Sequence, residues 1–89
     1  MNAEIALSII LPTYNEKDNI ILLLSELEKI VAIPYEAIVV DDDSPDKTWE
    51  AVEAFAASRS NVRLLRRVNV RGLTSAINDG LKMGRGRLL

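Results

Sequence analysis

The 89-residue sequence contains neither cysteine nor histidine. It therefore forms no disulfide and lacks the side chains that bind zinc in ordinary structural sites. The absence of cysteine fits a reducing compartment, and we expect the cytoplasm. A chain of this length buries only about 60% of the surface that its unfolded form exposes, so we expect one small domain with little stability to spare.

Long apolar runs are also absent. The longest stretch without a charged residue is the eleven residues from 5 to 15, far short of the roughly 20 that cross a bilayer. It does not resemble a signal peptide, because Glu4 precedes it and no small-residue cleavage site follows it. The sequence thus predicts no transmembrane helix, and we interpret this stretch as part of the folded domain.

Basic residues are scarce before position 59 and abundant after it. Residues 1–58 hold three lysines and twelve acids, whereas residues 59–89, the basic segment, hold eight basic residues and one acid, Asp79. Such a segment suits phosphate, nucleic acid or an anionic membrane surface, and the alternative is a solvated face that balances the acidic half. The basic segment has no aromatic residue on which bases could stack, so we expect phosphate rather than nucleic acid.

Apolar spacing predicts strands and helices in alternation. Three β-rich or continuously apolar runs predict strands at Ile5–Leu11, 35–40 and 62–66. Helices follow each of them, and short connections between alternating elements imply parallel strands. The predicted fold class is therefore α/β, an open parallel sheet in three layers with helices on both faces. A fourth strand is expected at Arg87–Leu89, where the sequence stops as if cut off.

Polar residues and prolines mark the predicted helix starts. Asn15, with Asp18 three residues later, is typical of a helix cap, and Ser44 followed by Pro45 predicts the start of the second helix. The third helix is predicted to end near Gly84. This helix is predicted from three apolar residues spaced four apart: Leu73, Ile77 and Leu81.

Three loops are candidates for a binding site, because ligands bind beyond the carboxyl ends of the strands in an open α/β sheet. They are residues 12–16, 41–46 and 67–72. The first loop has no glycine, which disfavours Rossmann and Walker-type nucleotide sites. A phospho-accepting receiver domain is also disfavoured, since the aspartates follow the second strand and arginines follow the third.

A proline, a tyrosine and carboxylates remain at these loops. Tyr14 offers a flat apolar face and a hydroxyl, Pro12 shapes the turn, and Asp42 or Glu16 can accept hydrogen bonds from a base or a ribose. This set suits a nucleoside. The alternative is that Tyr14 packs on the sheet edge and that the aspartates at 41–43 cap a helix or remain solvated.

Three segments of the chain resemble the start of family 2 glycosyltransferases, and in particular the dolichol-phosphate mannosyltransferase group. They are Leu11-Pro12-Thr13-Tyr14-Asn15-Glu16, then Val39–Glu50 with its run of aspartates, then Arg71-Gly72-Leu73-Thr74-Ser75-Ala76. Their order and spacing match the family over nearly the whole chain. The resemblance implies a GT-A fold, with residues 1–89 as the amino-terminal, nucleotide-binding part of its catalytic domain.

The resemblance also implies an activity and a binding site. The activity is transfer of mannose from GDP-mannose to dolichyl or another polyprenyl phosphate at the cytoplasmic face of a membrane. The alternatives are a relative that uses UDP-glucose and undecaprenyl phosphate, and a non-catalytic nucleotide-binding or vestigial fragment. Matched by motif, the nucleotide-sugar-binding positions are Pro12, Tyr14, Glu16, Val40 and Asp42, with Arg71 as an additional cation near the diphosphate.

Two departures from the family pattern bear on this interpretation. Lys47 replaces a glycine that is common in its loop. The Asp-x-Asp motif, which holds a divalent metal such as Mg²⁺ or Mn²⁺ in the family, is expected beyond Leu89, so no catalytic or metal-binding residue is assigned here. We therefore expect the 89 residues alone to transfer no sugar. We also expect them to self-associate through a bare strand edge at Ile5–Leu11.

Overall fold

The computed structural model describes residues 4–88 as a four-stranded sheet with three helices. Its elements, in chain order, are β1 (Leu7–Thr13), α1 (Lys17–Ile30), β2 (Tyr35–Asp41), α2 (Thr48–Ala56), β3 (Val62–Arg66), α3 (Leu73–Met83) and β4 (Arg87–Leu88). The strand order is β3-β2-β1-β4, and all three pairings are parallel. The predicted open parallel α/β sheet is therefore confirmed.

The first strand lies two residues further along the chain than its apolar run predicts, because Pro12 belongs to it. Pro12 pairs with Val40 of β2, and a proline is tolerated in a strand where its missing N–H faces no partner. Among the described residues, β4 reaches only Leu7 and Ser8 on the other side of β1. Pro12 therefore sits where β1 is an edge.

The predicted bare edge at Ile5–Leu11 is wrong at its beginning, since β4 pairs with Leu7 and Ser8. The predicted fourth strand forms at Arg87–Leu88, while Leu89 lies outside the described residues. Residues 9–13 have a single neighbouring strand, β2, in the described part of the chain. Self-association through this shorter edge remains a prediction.

The central strand β2 is buried along its whole length and separates two apolar clusters. The larger cluster joins Ala37 and Val39 to Ile20 and Leu24 of α1 and to Val52 of α2. The smaller cluster joins the alternate β2 residues to α3, and its buried members are Ile38, Val40 and Ala76. Side chains that alternate across one strand thus build the three layers.

The predicted third helix forms as α3 and ends before Gly84, but small residues make its contact with the sheet. Ala76 and Gly80 are the buried residues of this helix, whereas Leu73 is 67% exposed and Ile77 is 36% exposed. A Cβ atom added at Gly80 would lie 2.5 Å from Cγ2 of Ile10. The helix backbone therefore approaches the sheet more closely than a leucine face allows.

A buried acid fixes the end of the sheet that lies away from the three candidate loops. Glu36 is fully buried and accepts hydrogen bonds from the Ser8 hydroxyl at 2.6 Å and from the Arg63 guanidinium at 2.9 Å. Its carboxylate also accepts the Arg85 backbone N–H at 2.7 Å and the Arg85 guanidinium. The segment after α3 is thereby joined to β1 and β2.

These contacts determine the ionisation of Glu36. Burial acts to raise its pKa from the ordinary 4.5, but the hydrogen bonds from Ser8, Arg85 and Arg63 outweigh burial and lower the pKa to about 2. A carboxyl whose pKa falls on folding stabilises the fold above its unfolded pKa. That contribution is lost as the pH decreases from 4.5 toward 2.

We predict that Glu36→Gln lowers the free energy of unfolding by about 1.5–3 kcal/mol at neutral pH, because hydrogen bonds to an ionised carboxylate are lost. Urea unfolding at several pH values measures this. The difference between wild type and Glu36→Gln should shrink as the pH falls below about 4.5. Glu26→Gln, at an exposed ion pair with Lys29, is the control that should unfold like the wild type. A difference that stays constant with pH would contradict the assignment.

Candidate functional site

The first and third candidate loops enclose a pocket together with the end of β2. The pocket has a volume of about 240 Å³. It lies at the carboxyl edge of the parallel strands, where ligands bind in open α/β sheets. Its lining residues are Pro12, Thr13, Tyr14, Asp42, Arg71, Gly72, Leu73 and Ala76.

The structure brings together four of the six residues that the sequence assigns to nucleotide binding: Pro12, Tyr14, Asp42 and Arg71. Glu16 lies elsewhere, in a second cavity of about 260 Å³ that Pro12 also lines. The carboxylate of Glu16 accepts a hydrogen bond from Asn19 at 3.0 Å. Val40 is fully buried in the cluster beneath α3, so only its backbone can serve the pocket.

The three consecutive aspartates have three different environments. Asp41 is fully buried and accepts hydrogen bonds from the Thr13 hydroxyl at 2.7 Å and from the backbone N–H of Ser44 at 3.0 Å. Asp43 lies at the surface, where it pairs with Arg66 at 2.6 Å. Asp42 alone of the three lines the pocket. The predicted role of the middle aspartate therefore has a structural basis.

Asp46 caps two helices at once. Its carboxylate accepts the backbone N–H of Lys17 at 3.1 Å, at the start of α1, and that of Thr48 at 2.9 Å, at the start of α2. The hydrogen bond from Thr48 is the main reason that the pKa of Asp46 is lowered. One side chain therefore satisfies orphan N–H groups of both helices.

The predicted caps at Asn15 and Ser44 are consequently wrong. Helix α1 begins after Glu16 and α2 begins at Thr48 rather than at Pro45. Asn15 instead accepts the Asp46 backbone N–H through its side chain and donates its own N–H to the Ser44 hydroxyl at 2.9 Å. These polar side chains link the first two candidate loops to each other, a pairing that spacing along the chain does not reveal.

A buried ion pair holds Asp42. Its Oδ1 accepts Nε of Arg67 at 2.6 Å, and its Oδ2 accepts Nη2 of Arg67 at 2.9 Å and the Gly72 N–H at 3.2 Å. The hydrogen bonds from Arg67 lower the pKa of Asp42, and those to Asp42 raise the pKa of Arg67. Asp42 is only 9% exposed, yet it is ionised beside the pocket.

Arg67 holds a pocket residue, although the sequence analysis counts it only with the basic segment and assigns it no individual role. The available signal was its position directly after β3, which pairs with β2 so that Asp41 lies opposite Arg66. Asp42 and Arg67 directly follow these two strands, so they meet at the same edge of the sheet.

Arg71 and Tyr14 close one side of the pocket. The Arg71 guanidinium lies 4.7 Å from the centroid of the Tyr14 ring, and its Nη2 donates to the Tyr14 hydroxyl at 2.8 Å. Both residues are exposed at the pocket. A cation and an aromatic hydroxyl thus stand opposite the ionised carboxylate of Asp42.

Most arginines of the basic segment are already paired with acids. The pairs join Arg59 to Glu28, Arg63 and Arg85 to Glu36, Arg66 to Asp43, and Arg67 to Asp42 and Asp79. Arg71 makes no ion pair within residues 4–88. The structure therefore favours charge balance as the role of these five arginines and leaves Arg71 at the pocket.

The described residues do not provide a site for the divalent metal that the family implies. No group of three or more acidic side chains that could hold a metal ion occurs among residues 4–88. Asp41, Asp42 and Asp46 instead accept hydrogen bonds from protein donors.

Among residues 4–88, no helix is both long enough and apolar enough to cross a membrane.

A family model described as Glycosyl transferase family 2 matches residues 8–89. This chain belongs to glycosyl transferase family 2. The resemblance drawn from the three motifs is thereby confirmed.

Individual members of the family are similar to nearly the whole chain. A dolichol-phosphate mannosyltransferase of Pyrococcus furiosus is 42% identical over 80 residues, which cover 89% of this chain and 22% of that protein. A dolichyl-phosphate beta-glucosyltransferase of Dictyostelium discoideum is 36% identical over 93% of this chain and 28% of its own length. The chain thus spans about a quarter of these relatives.

A solved family structure shares the fold. It is a mannosyltransferase from Pyrobaculum calidifontis in complex with GDP-Man and Mn²⁺, with a TM-score of 0.79 and 29% identity. The match covers 88% of this chain and 24% of that structure. The predicted GT-A fold is therefore confirmed for the part of the fold that this chain comprises.

The backbone at Lys47 has a conformation that favours glycine. Lys47 adopts φ 61° and ψ 39°, the left-handed region, directly before α2. A residue with a side chain is disfavoured there by about 1–2 kcal/mol, which glycine avoids at an entropic cost of its own.

We predict that Lys47→Gly raises the free energy of unfolding by about 0.5–1 kcal/mol. This gain is the cost of the left-handed backbone that glycine avoids, less the entropic cost of glycine itself. Denaturant unfolding of the two proteins measures the difference. Lys29→Gly, in the last turn of α1, is the control and should destabilise the protein. Equal destabilisation by both substitutions would show that the left-handed backbone at 47 costs nothing.

Proposed function

We propose that the pocket binds the nucleoside diphosphate part of a sugar donor, as the first half of a hexosyl transfer to polyprenyl or dolichyl phosphate. The observation that carries this proposal is that one pocket holds both a buried, ionised carboxylate, Asp42, and an arginine without an ion-pair partner in the described residues, Arg71. The Asp42 carboxylate can accept hydrogen bonds from the N–H groups of a base, and the Arg71 guanidinium attracts phosphate.

The other lining residues suit the parts of a nucleotide that lie between base and phosphate. Pro12 and the ring of Tyr14 offer apolar surface for a base or a ribose, and the Tyr14 hydroxyl can bond a polar group. Glu16 lies in the neighbouring cavity across Pro12, so we propose a contact to the ribose rather than to the base. For Val40, which lies in register with Pro12, we propose a contact through its backbone beside the base.

GDP-mannose is the donor that we favour. The support is that the Pyrococcus and Pyrobaculum relatives are named as mannosyltransferases and that the latter is described with GDP-Man. UDP-glucose is the alternative, because the Dictyostelium relative is named as a glucosyltransferase. This chain spans about a quarter of its relatives. Recognition of the hexose itself would depend on residues that correspond to the other three quarters of those relatives.

The later steps of the reaction would also involve residues outside this chain. In the proposed reaction, an oxygen of the acceptor phosphate attacks the anomeric carbon, and the bond from that carbon to the nucleoside diphosphate breaks. We propose that this occurs at the cytoplasmic face of a membrane. The metal-binding Asp-x-Asp motif expected after Leu89 is a prediction, and no step is assigned to a metal here because the described residues do not fit one.

We predict that Asp42→Asn weakens binding of GDP about tenfold to a hundredfold, since a neutral amide accepts a base N–H less strongly than a carboxylate does. Isothermal titration calorimetry measures the affinity. The control is Asp43→Asn, whose side chain pairs with Arg66 at the surface and should matter little. Unchanged affinity in Asp42→Asn would remove Asp42 from the site.

We predict that Arg71→Ala removes the advantage of GDP over guanosine, because the substitution deletes the cation proposed for the diphosphate. Calorimetric titration with both ligands separates the base contribution from the phosphate contribution. Arg59→Ala, whose guanidinium pairs with Glu28 and lies over Phe55, is the matched control. Tight binding of RNA at physiological salt together with normal GDP binding in Arg71→Ala would overturn the phosphate role.

A further inference from the structure

We propose that Arg67 is a positioning residue that orients the donor-binding carboxylate of Asp42 and the Arg71–Gly72 turn without touching the donor. This inference rests on the proposed function, because it concerns how the same pocket recognises its nucleotide. It assigns donor affinity to a residue that lies outside the lining of the pocket.

Every N–H group of the Arg67 guanidinium has a protein partner. Nε donates to Asp42 at 2.6 Å, and Nη2 donates to Asp42 at 2.9 Å and to the Gly72 carbonyl at 3.2 Å. Nη1 donates to the Ser75 hydroxyl at 3.0 Å and to Asp79 at 2.9 Å. A guanidinium has five N–H groups, so none is left for a ligand.

Burial excludes a direct role as well. The Arg67 side chain is 4% exposed, whereas Arg66, the preceding residue, is 40% exposed. Any influence of Arg67 on a bound nucleotide must therefore pass through the groups that it holds. Those groups are the carboxylate of Asp42, the start of α3 at Gly72 and Ser75, and Asp79 further along that helix.

The ion pair fixes how Asp42 can act on a ligand. A carboxylate accepts about four hydrogen bonds, and Asp42 already accepts two from Arg67 and one from the Gly72 N–H. The fork of a guanidinium sets the plane of the carboxylate, which a single ammonium would not. Asp42 thus keeps its charge, a defined orientation and room for a further donor.

The same contacts hold the turn that carries Arg71. Both main-chain groups of Gly72 are engaged, its N–H by Asp42 and its carbonyl by Arg67. Gly72 has φ 130°, a conformation that side-chain-bearing residues rarely adopt. Arg67 therefore links the carboxylate proposed to recognise the base to the turn that carries the arginine proposed for the phosphate.

A purely structural role for Arg67 makes a different prediction, and a double-mutant cycle separates the two. The four proteins are wild type, Arg67→Gln, Asp42→Asn and the double variant, each titrated with GDP and with UDP and melted in the absence of ligand. The double variant replaces a buried ion pair by two neutral amides, so it avoids the uncompensated charge of either single variant and should recover stability. Arg66→Gln, at the exposed pair with Asp43, is the control.

We expect Arg67→Gln to weaken nucleotide binding about tenfold to a hundredfold and the double variant to bind as weakly as Asp42→Asn, neither more weakly nor more tightly. If Arg67 only supports the fold, the two losses multiply instead, or affinity recovers together with stability in the double variant. Either result would overturn the proposal.

A conservative variant adds an independent measurement. Arg67→Lys keeps the positive charge without the planar fork, so we expect its melting temperature to approach that of the wild type while its nucleotide affinity stays reduced. Recovery of both would overturn the positioning role. If wild type binds neither GDP nor UDP, the proposed function fails and this inference with it. If wild type binds and Arg67→Gln binds equally well, the inference alone fails.

Discussion

The ion pair between Asp42 and Arg67 is the interaction on which the pocket depends. Two charges buried at 9% and 6% exposure lose much of their hydration, and such a pair is tolerated only when further hydrogen bonds satisfy its remaining groups. Those further partners are Gly72 and Ser75, at the start of α3, and Asp79, further along the same helix. Satisfying the buried pair therefore requires α3 to begin at the pocket, which places Arg71 there.

The uneven distribution of charge along the sequence is also explained by ion pairs between distant residues. The acidic residues come first in the chain and the arginines last, and a parallel sheet brings both to its edges. At the carboxyl edge, Asp42 and Asp43 meet Arg67 and Arg66. At the opposite edge, Glu36 meets two other arginines of the basic segment. The two oppositely charged parts of the chain therefore meet in ion pairs at both ends of the strands.

Apolar periodicity predicted the parallel α/β sheet, and the resemblance to family 2 glycosyltransferases assigned six residues to nucleotide binding, four of which line the pocket. Prediction from the sequence failed where the structure depends on contacts between distant segments. Asp46 caps a helix that begins 29 positions earlier in the chain, and Gly80 packs on β1 because its backbone is bare. The sequence analysis assigns no role to Arg67 for the same reason. In a basic sequence, an arginine that pairs with a buried carboxylate cannot be distinguished from an arginine at the surface.

The position of α3 is determined at three points along its length, and this links the two edges of the sheet. At its beginning, Gly72 and Ser75 are bound by the Asp42–Arg67 pair. In its middle, Gly80 contacts Ile10 without space for a Cβ. At its end, the Met83 carbonyl accepts a hydrogen bond from Arg63, which also pairs with Glu36. A helix held at both ends by arginine–carboxylate networks shifts little as a unit, so the pocket turn before it is preorganised rather than formed by the ligand.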